Sequence, residues 1–210
     1  MFKYLARNHF ANKAAISQYA KEVSYYSFWM INMRSPENGW SSASCVMVNK
    51  NTVLTCAHNF NECDPELSKV VSPRTGQVLD IKTAEIDTEN DLAIVTLKGK
   101  TREKTANIGR EIEPEENLQV FKARMTSFNP SNGHLELVRG VLISELDTIQ
   151  MNSHRNRQGS LFHMHSKPGD SGAGIFTLDG KLLALNHSGH PIKKEASGTD
   201  ISVFRGLSFN

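Results

Sequence analysis

The sequence predicts an all-β protein built as two barrels packed side by side. Three observations carry that prediction. Short runs rich in β-branched and apolar residues recur along the chain, each bounded by turn-forming residues. Helical periodicity is scarce between them, which favours many short strands in a barrel or sandwich. The runs also fall into two similar sets, divided by one long polar stretch.

Residues 1–26 are read as an N-terminal extension carrying a surface helix. Lys3, Arg7, Lys13 and Lys21 precede the first acid, Glu22. A mitochondrial transit segment shares that bias, whereas a secretory signal would need a continuous apolar core that "MFKYLARNHFANKAAISQYAK" lacks. The first barrel is placed at 27–109. Its strands are "SFWMINMR", "SASCVMV", "NTVLTCAH", "QVLDIKTAEID" and "DLAIVTL", with "SPENGW" and "NKN" as turns. The stretch "KGKTREKTANIGREIEPEEN" then turns polar and proline-containing, and the linker is placed at 110–118. The second barrel spans 119–210, with "LQVFKARM", "HLELVRGVLISEL", "TIQMNS", "SLFHMHS", "AGIFTL", "KLLALNHS" and "TDISVF" as strands. The segments "NPSNG" and "LDG" supply turns between them.

Composition narrows the function classes. Of 210 residues, 39% are apolar and 22% charged, and the formal net charge is only +2. Such a balance gives no general drive toward nucleic acid or a membrane surface. No apolar run is long enough to span a bilayer. The basic segments "SHRNRQ" and "IKKE" carry no interleaved aromatics and read as solvated loops, so no nucleic-acid partner is expected. Cys45, Cys56 and Cys63 are too few, and odd in number, for a disulfide framework, although one bridge stays open. A reducing, cytosolic or host-cell interior setting is favoured.

Three short motifs carry the chemistry. "VLTCAH" ends a strand with His58, "ENDLAIV" opens one with Asp91, and "GDSGAG" surrounds Ser171. Singly, each is more often a solvated histidine, a turn acid and a glycine turn. Together they supply the parts of acyl transfer. A serine hydroxyl needs an imidazole to take its proton, and the imidazole needs a carboxylate on its other nitrogen. The oxyanion formed needs backbone N–H donors, which glycine lets approach closely.

In this order, and with "TCAH", "NDLAIV" and "GDSGAG", the chain resembles the trypsin-like serine proteases of the chymotrypsin fold. His58 and Asp91 are 33 residues apart (58 to 91), and Asp91 and Ser171 are 80 apart (91 to 171). That first spacing resembles the compact bacterial and viral branches. The resemblance covers most of the chain from about residue 27 onward. It implies two six-stranded antiparallel barrels with the triad His58, Asp91 and Ser171 in the cleft between them. It also implies an oxyanion hole from the N–H groups of Gly169 and Ser171, and a tight turn at Gly172. Asp87 is the rival acid, but the family pattern lies in "NDLAIV". The chain departs from the family in three places. It has nothing like an Ile-Val-Gly-Gly activation sequence. Cys56 stands where alanine is frequent, and Asn59 where the usual cysteine follows the histidine. Its pocket residues are not trypsin's.

The resemblance also locates a specificity pocket. Six before the nucleophile, where trypsin has an acid, stands His165, and five before it stands Ser166. Sixteen after it is His187, in "LALNHSGH", with Gly189 completing an H-x-G pattern. That segment is similar to glutamyl endopeptidases and nidovirus serine-type main proteases, which pair such a histidine with a hydroxyl to hold Glu or Gln. Protonation of His187 would set the choice between Glu and Gln. His187 also fits an ordinary core or surface histidine. His163, His165, His187 and His190 admit a metal reading as well, as do Cys56, His58 and Cys63, though a metal there would sacrifice the base. The triad needs neither metal nor cofactor.

The expectation is therefore a serine endopeptidase acting on a protein or polyprotein substrate, without cofactor, cutting after Glu or Gln. A catalytically silent homologue serving as a binding or scaffold module is the alternative, and oligomeric state is left open.

Overall fold

The computed structural model describes residues 23, 27–35, 39–109, 118–125, 135–151, 155–190 and 195–200. Of the N-terminal helix expected over 1–26, only Val23 is among them; it is helical and fully buried. Residues 110–117 of the expected linker and the "IKK" of 192–194 lie outside the described residues.

Six strands form the first barrel: β1 (Ser27–Ser35), β2 (Gly39–Asn49), β3 (Thr52–Thr55), β4 (Asp64–Val71), β5 (Val78–Asp87) and β6 (Leu92–Leu97). Six more form the second: β7 (Gln119–Met125), β8 (Leu135–Met151), β9 (Arg155–His163), β10 (Gly174–Thr177), β11 (Leu182–His190) and β12 (Glu195–Asp200). Each sheet closes on itself, in the orders β1-β2-β3-β6-β5-β4 and β7-β8-β9-β12-β11-β10. The second barrel thus repeats the strand order of the first, and every described pairing between the twelve strands is antiparallel. Closure removes free sheet edges. The all-β, two-barrel expectation holds.

The side-chain patterns explain these strands. In β5, Leu79 and Ile81 point into the barrel while Val78, Asp80 and Lys82 face out, the period of two expected of a strand with one wet face. β3 lies between β2 and β6 and is buried along its whole length.

Three local readings need correction. β4 was not expected, because its opening "DPE" reads as a turn; Asp64 indeed accepts from the Glu66 N–H at 2.8 Å, as a turn acid does. From Leu135 on, "LELVRGVLISEL" and "TIQM" are one long strand, β8, with a register shift against β9 between Leu146 and Ile149. Most of the basic "SHRNRQ" is not a loop: from Arg155 onward it is β9, paired with the end of β8.

Register positions the chemistry. β3 and β6 pair antiparallel with Thr55 opposite Ala93. The residues just after β3 and just before β6 therefore meet at one end of the barrel, which brings His58 to Asp91. The largest core cluster fills the first barrel with Phe28, Met30, Met47, Leu54 and Ile81. It runs on into Phe121, Phe176, Leu182 and Leu185 of the second. Phe121 and Phe176 stack there with centroids 5.7 Å apart. Residues 107–109 lie along β11, with Leu182 donating to the Asn107 carbonyl and Gly109 to that of Leu182.

Candidate active site

His58 sits in a short 3-10 turn, Ala57–Phe60, that follows β3. Its ring bridges the other two residues. Nδ1 is 2.7 Å from Asp91 Oδ2, and Nε2 is 2.8 Å from Ser171 Oγ. Asp91 is buried and, as a carboxylate, only accepts; Nδ1 therefore carries the proton and Nε2 turns a lone pair toward the serine hydroxyl. Asp91 Oδ1 also accepts from the His58 N–H at 2.9 Å, which fixes the carboxylate against both the ring and the backbone. The imidazole is partly exposed, with 34% of its side chain accessible against 2% for Asp91, so its outer side is open to a substrate.

Asp87 is engaged elsewhere. It accepts from the backbone N–H groups of Glu89 and Asn90, each at 3.0 Å, and from Asn90 Nδ2 at 2.7 Å. These bonds shape the turn that delivers Asp91, whose backbone lies in the left-handed region at φ 54°.

Ser171 lies in a turn between two glycines with left-handed backbones, Gly169 at φ 92° and Gly172 at φ 83°. Gly172 has no room for a side chain, since a Cβ would stand 2.0 Å from the Ser44 carbonyl oxygen and 2.3 Å from Thr55 Oγ1. The Ser171 carbonyl accepts from the Ser44 N–H at 2.8 Å and from Asn59 Nδ2 at 3.3 Å. Ser44 Oγ donates to the Gly169 carbonyl at 2.9 Å. Asn59, standing where the family usually has a cysteine, thus ties the histidine turn to the serine turn. Among the described residues, neither the Gly169 nor the Ser171 N–H donates a backbone hydrogen bond outside the strands. A Cβ at Gly169 would meet nothing within 4 Å, so that side of the turn faces open space.

Behind the serine lies a polar cluster that the sequence reading missed. Lys122, from β7, is wholly buried. Its ammonium is 2.7 Å from Asp170 Oδ2, 2.9 Å from the His165 carbonyl and 3.1 Å from Asn186 Oδ1. Burial pulls its pKa below the ordinary lysine range, against the opposing pull of Asp170. The strand pattern gave no signal for it: Val120, Lys122 and Arg124 share one face of β7 and Phe121 and Ala123 the other, and only the fold shows that all five are buried.

The four pocket positions are only partly gathered. Ser166 is buried, and its hydroxyl donates to Asn186 Oδ1 at 3.3 Å. His187 is buried on β11, next in sequence to Asn186, and Gly189, farther along β11, pairs with Ala196 of β12. The His165 ring is exposed, and its Nδ1 accepts from Arg124 Nη1 at 2.9 Å, so it faces Arg124 rather than a closed pocket floor.

None of the three cysteines forms a disulfide. Cys45 and Cys56 are buried and Cys63 is half-buried. Single ligand atoms from Cys56, His58 and Asp91 lie within 4.8 Å of one another, so Asp91 takes the place given to Cys63 in the expected cluster. Here the Cys56 thiol donates to the Asn186 carbonyl at 3.3 Å, and His58 and Asp91 hold each other.

Comparison with known proteins agrees with this geometry. The family model of the trypsin-like peptidase domain matches residues 43–185. No match was found among curated protein sequences. Among solved structures, the active form of the Rv3671c protease from M. tuberculosis superposes with a TM-score of 0.71 at 12% identity, over 89% of this chain and 81% of that one. A serine endoprotease from Yersinia pestis gives 0.71 at 14% identity, over 91% of this chain and 63% of that one.

Proposed function

This chain belongs to the trypsin-like peptidase family and is a serine endopeptidase, and from that premise we propose that it acts through an acyl-enzyme on Ser171 and cuts after Glu or Gln. The observation that supports the first part is the unbroken chain of contacts Asp91–His58–Ser171, at 2.7 and 2.8 Å.

Ser171 Oγ attacks the carbonyl carbon of the scissile bond while its proton passes to His58 Nε2. The imidazolium so formed is held by Asp91, which stays ionised. The carbonyl oxygen becomes an oxyanion and takes the N–H groups of Gly169 and Ser171. Collapse breaks the C–N bond, and the leaving amine takes the proton from Nε2. Water then attacks the acyl-enzyme with His58 again as base, which frees the acid and restores Ser171. Each oxyanion donor contributes roughly 10²- to 10³-fold in kcat.

Specificity rests on Ser166 and His187, both buried and polar. Together they offer donors to a side-chain carbonyl or carboxylate oxygen. A basic side chain would bury its charge among groups that offer no free carboxylate, since Asp170 is already paired with Lys122. An apolar side chain would bring no acceptor to either group and would gain none of the hydrogen bonds open to Glu or Gln, each worth about 1 kcal/mol. Ser166 must turn its hydroxyl from Asn186 to the substrate, and Asn186 Oδ1 keeps its bond to Lys122 meanwhile.

The test is kcat/KM for matched peptides that differ only in the residue before the scissile bond, repeated with His187→Ala. Glu or Gln should lead with the parent, and the ranking should flatten in the variant. A lead for Lys, Arg, Phe or Leu, or an unchanged ranking in the variant, contradicts the pocket assignment.

A further inference from the structure

We propose that Lys122 is a positioning residue for the reaction: from inside the second barrel its ammonium fixes Asp170, and through it the turn that aims the N–H groups of Gly169 and Ser171. The inference rests on the acyl-enzyme reading above.

An ammonium has three N–H donors, and all three of Lys122's are used. Each acceptor belongs to a different part of the site. His165 opens the loop that leads to the nucleophile. Asp170 immediately precedes Ser171. Asn186, on β11, accepts the Gly172 N–H at its carbonyl at 2.8 Å. One buried cation therefore pins the nucleophile loop at its start, at its reactive end and on the neighbouring strand. Its own position is rigid, because β7 is paired on both sides, with Lys122 opposite Ile175 of β10 and Val138 of β8.

Asp170 passes this constraint to the backbone. Its Oδ2 also accepts from the Lys167 N–H at 3.1 Å, and its N–H donates back to the Lys167 carbonyl at 3.1 Å. Arg124 Nη1 lies 3.5 Å from the same oxygen. The Asp170 carbonyl accepts from Ala173 at 2.9 Å. The peptide that carries the Ser171 N–H is thus held from its Asp170 side. Gly169 has a left-handed backbone with open space beside it, and besides Asp170 the bond from Ser44 Oγ to its carbonyl at 2.9 Å restrains it.

Energetics argue that this pair is not there for stability. Lys122 is 0% and Asp170 1% exposed at the side chain. Desolvating two such charges costs several kcal/mol per ion, and well-packed neutral replacements of buried pairs are often neutral or stabilising. A buried pair next to a nucleophile is better explained by what it orients than by what it stabilises.

The experiment compares the parent with Lys122→Met and with the double variant Lys122→Met/Asp170→Asn, which leaves no lone buried charge. Folding is followed by circular dichroism and thermal melting, and kcat and KM are measured separately on folded protein. Lys122→Met should lower kcat by on the order of 10²- to 10³-fold, the size of a lost oxyanion donor, with KM changed only a few-fold. The double variant should recover the parent's Tm yet keep the low kcat. A folded double variant with kcat within a few-fold of the parent overturns the proposal. So does collapse of the fold in both variants, which would make the pair structural. A parent that neither turns over peptide nor labels at Ser171 brings down the acyl-enzyme reading and this inference with it; an active parent beside an active double variant brings down this inference alone.

Discussion

Proton placement on His58 governs the residue scale. Asp91 accepts from the backbone N–H of His58 and from Nδ1, so exchanging its carboxylate for an amide alters the tautomer without emptying the site. Asp91→Asn should fold like the parent and lose about 10⁴-fold in kcat. Asp87→Asn should leave kcat nearly unchanged, because Asp87 serves the Glu89–Asn90 turn and not the imidazole. Steady-state kinetics on the two variants decides between the carboxylates, and the reverse ranking would show that Asp87 is the acid. The thiols offer a second check. Burial pushes the Cys45 thiol far up from its usual range, and Cys56 is equally enclosed. A maleimide should modify Cys63 alone in the native protein and all three cysteines after denaturation. At this scale the sequence was legible wherever chemistry needs a fixed residue type in order: His58, Asp91 and Ser171 stand in hydrogen-bonding reach of one another. Lys122 was not read, because a lysine in a strand ordinarily faces water. Only the tertiary fold shows that its partner Asp170, 48 residues on, makes burial tolerable.

Among the elements, the two glycine turns separate space from backbone strain. Gly172→Ala places a methyl group against the Ser44 carbonyl and Thr55 Oγ1 in a left-handed backbone, so the serine turn must move away from β2 and β3. Stability and activity should both fall, by about 3 kcal/mol or more for the strain and overlap together. Gly169→Ala has free space around its Cβ and should cost only the left-handed backbone penalty of about 1–2 kcal/mol. Melting curves for the pair, read beside kcat, test the distinction; equal losses of Tm would contradict it. The strands themselves were legible where alternation was clean, as in "QVLDIKTAEID". β4 escaped because Asp64, Pro65 and Glu66 are turn residues in composition although they open a strand here. The join within β8 escaped because a register shift breaks the alternation that would mark one continuous strand.

Taken whole, the molecule is two barrels of one strand order whose contact builds the site. Ser44 and Asn59 bond the serine turn from the first barrel, Cys56 bonds Asn186 across it, and the largest apolar cluster continues through the contact. Thermal unfolding followed by tryptophan fluorescence and by circular dichroism should therefore give one coincident transition, and two separated midpoints would show that the barrels unfold independently. Two barrels were legible from two sets of strand-like runs around a polar stretch; the shared core was not, because sequence pattern marks which residues are buried but not against what. The central claim is that this shared cleft makes Ser171 a nucleophile. Its most direct test is a fluorophosphonate probe with the labelled residue mapped by mass spectrometry. One label per parent molecule, on Ser171, and none on a folded Ser171→Ala variant that has lost about 10⁴- to 10⁶-fold in kcat is the expected result. Labelling at another residue, or a variant that keeps its activity, would contradict it.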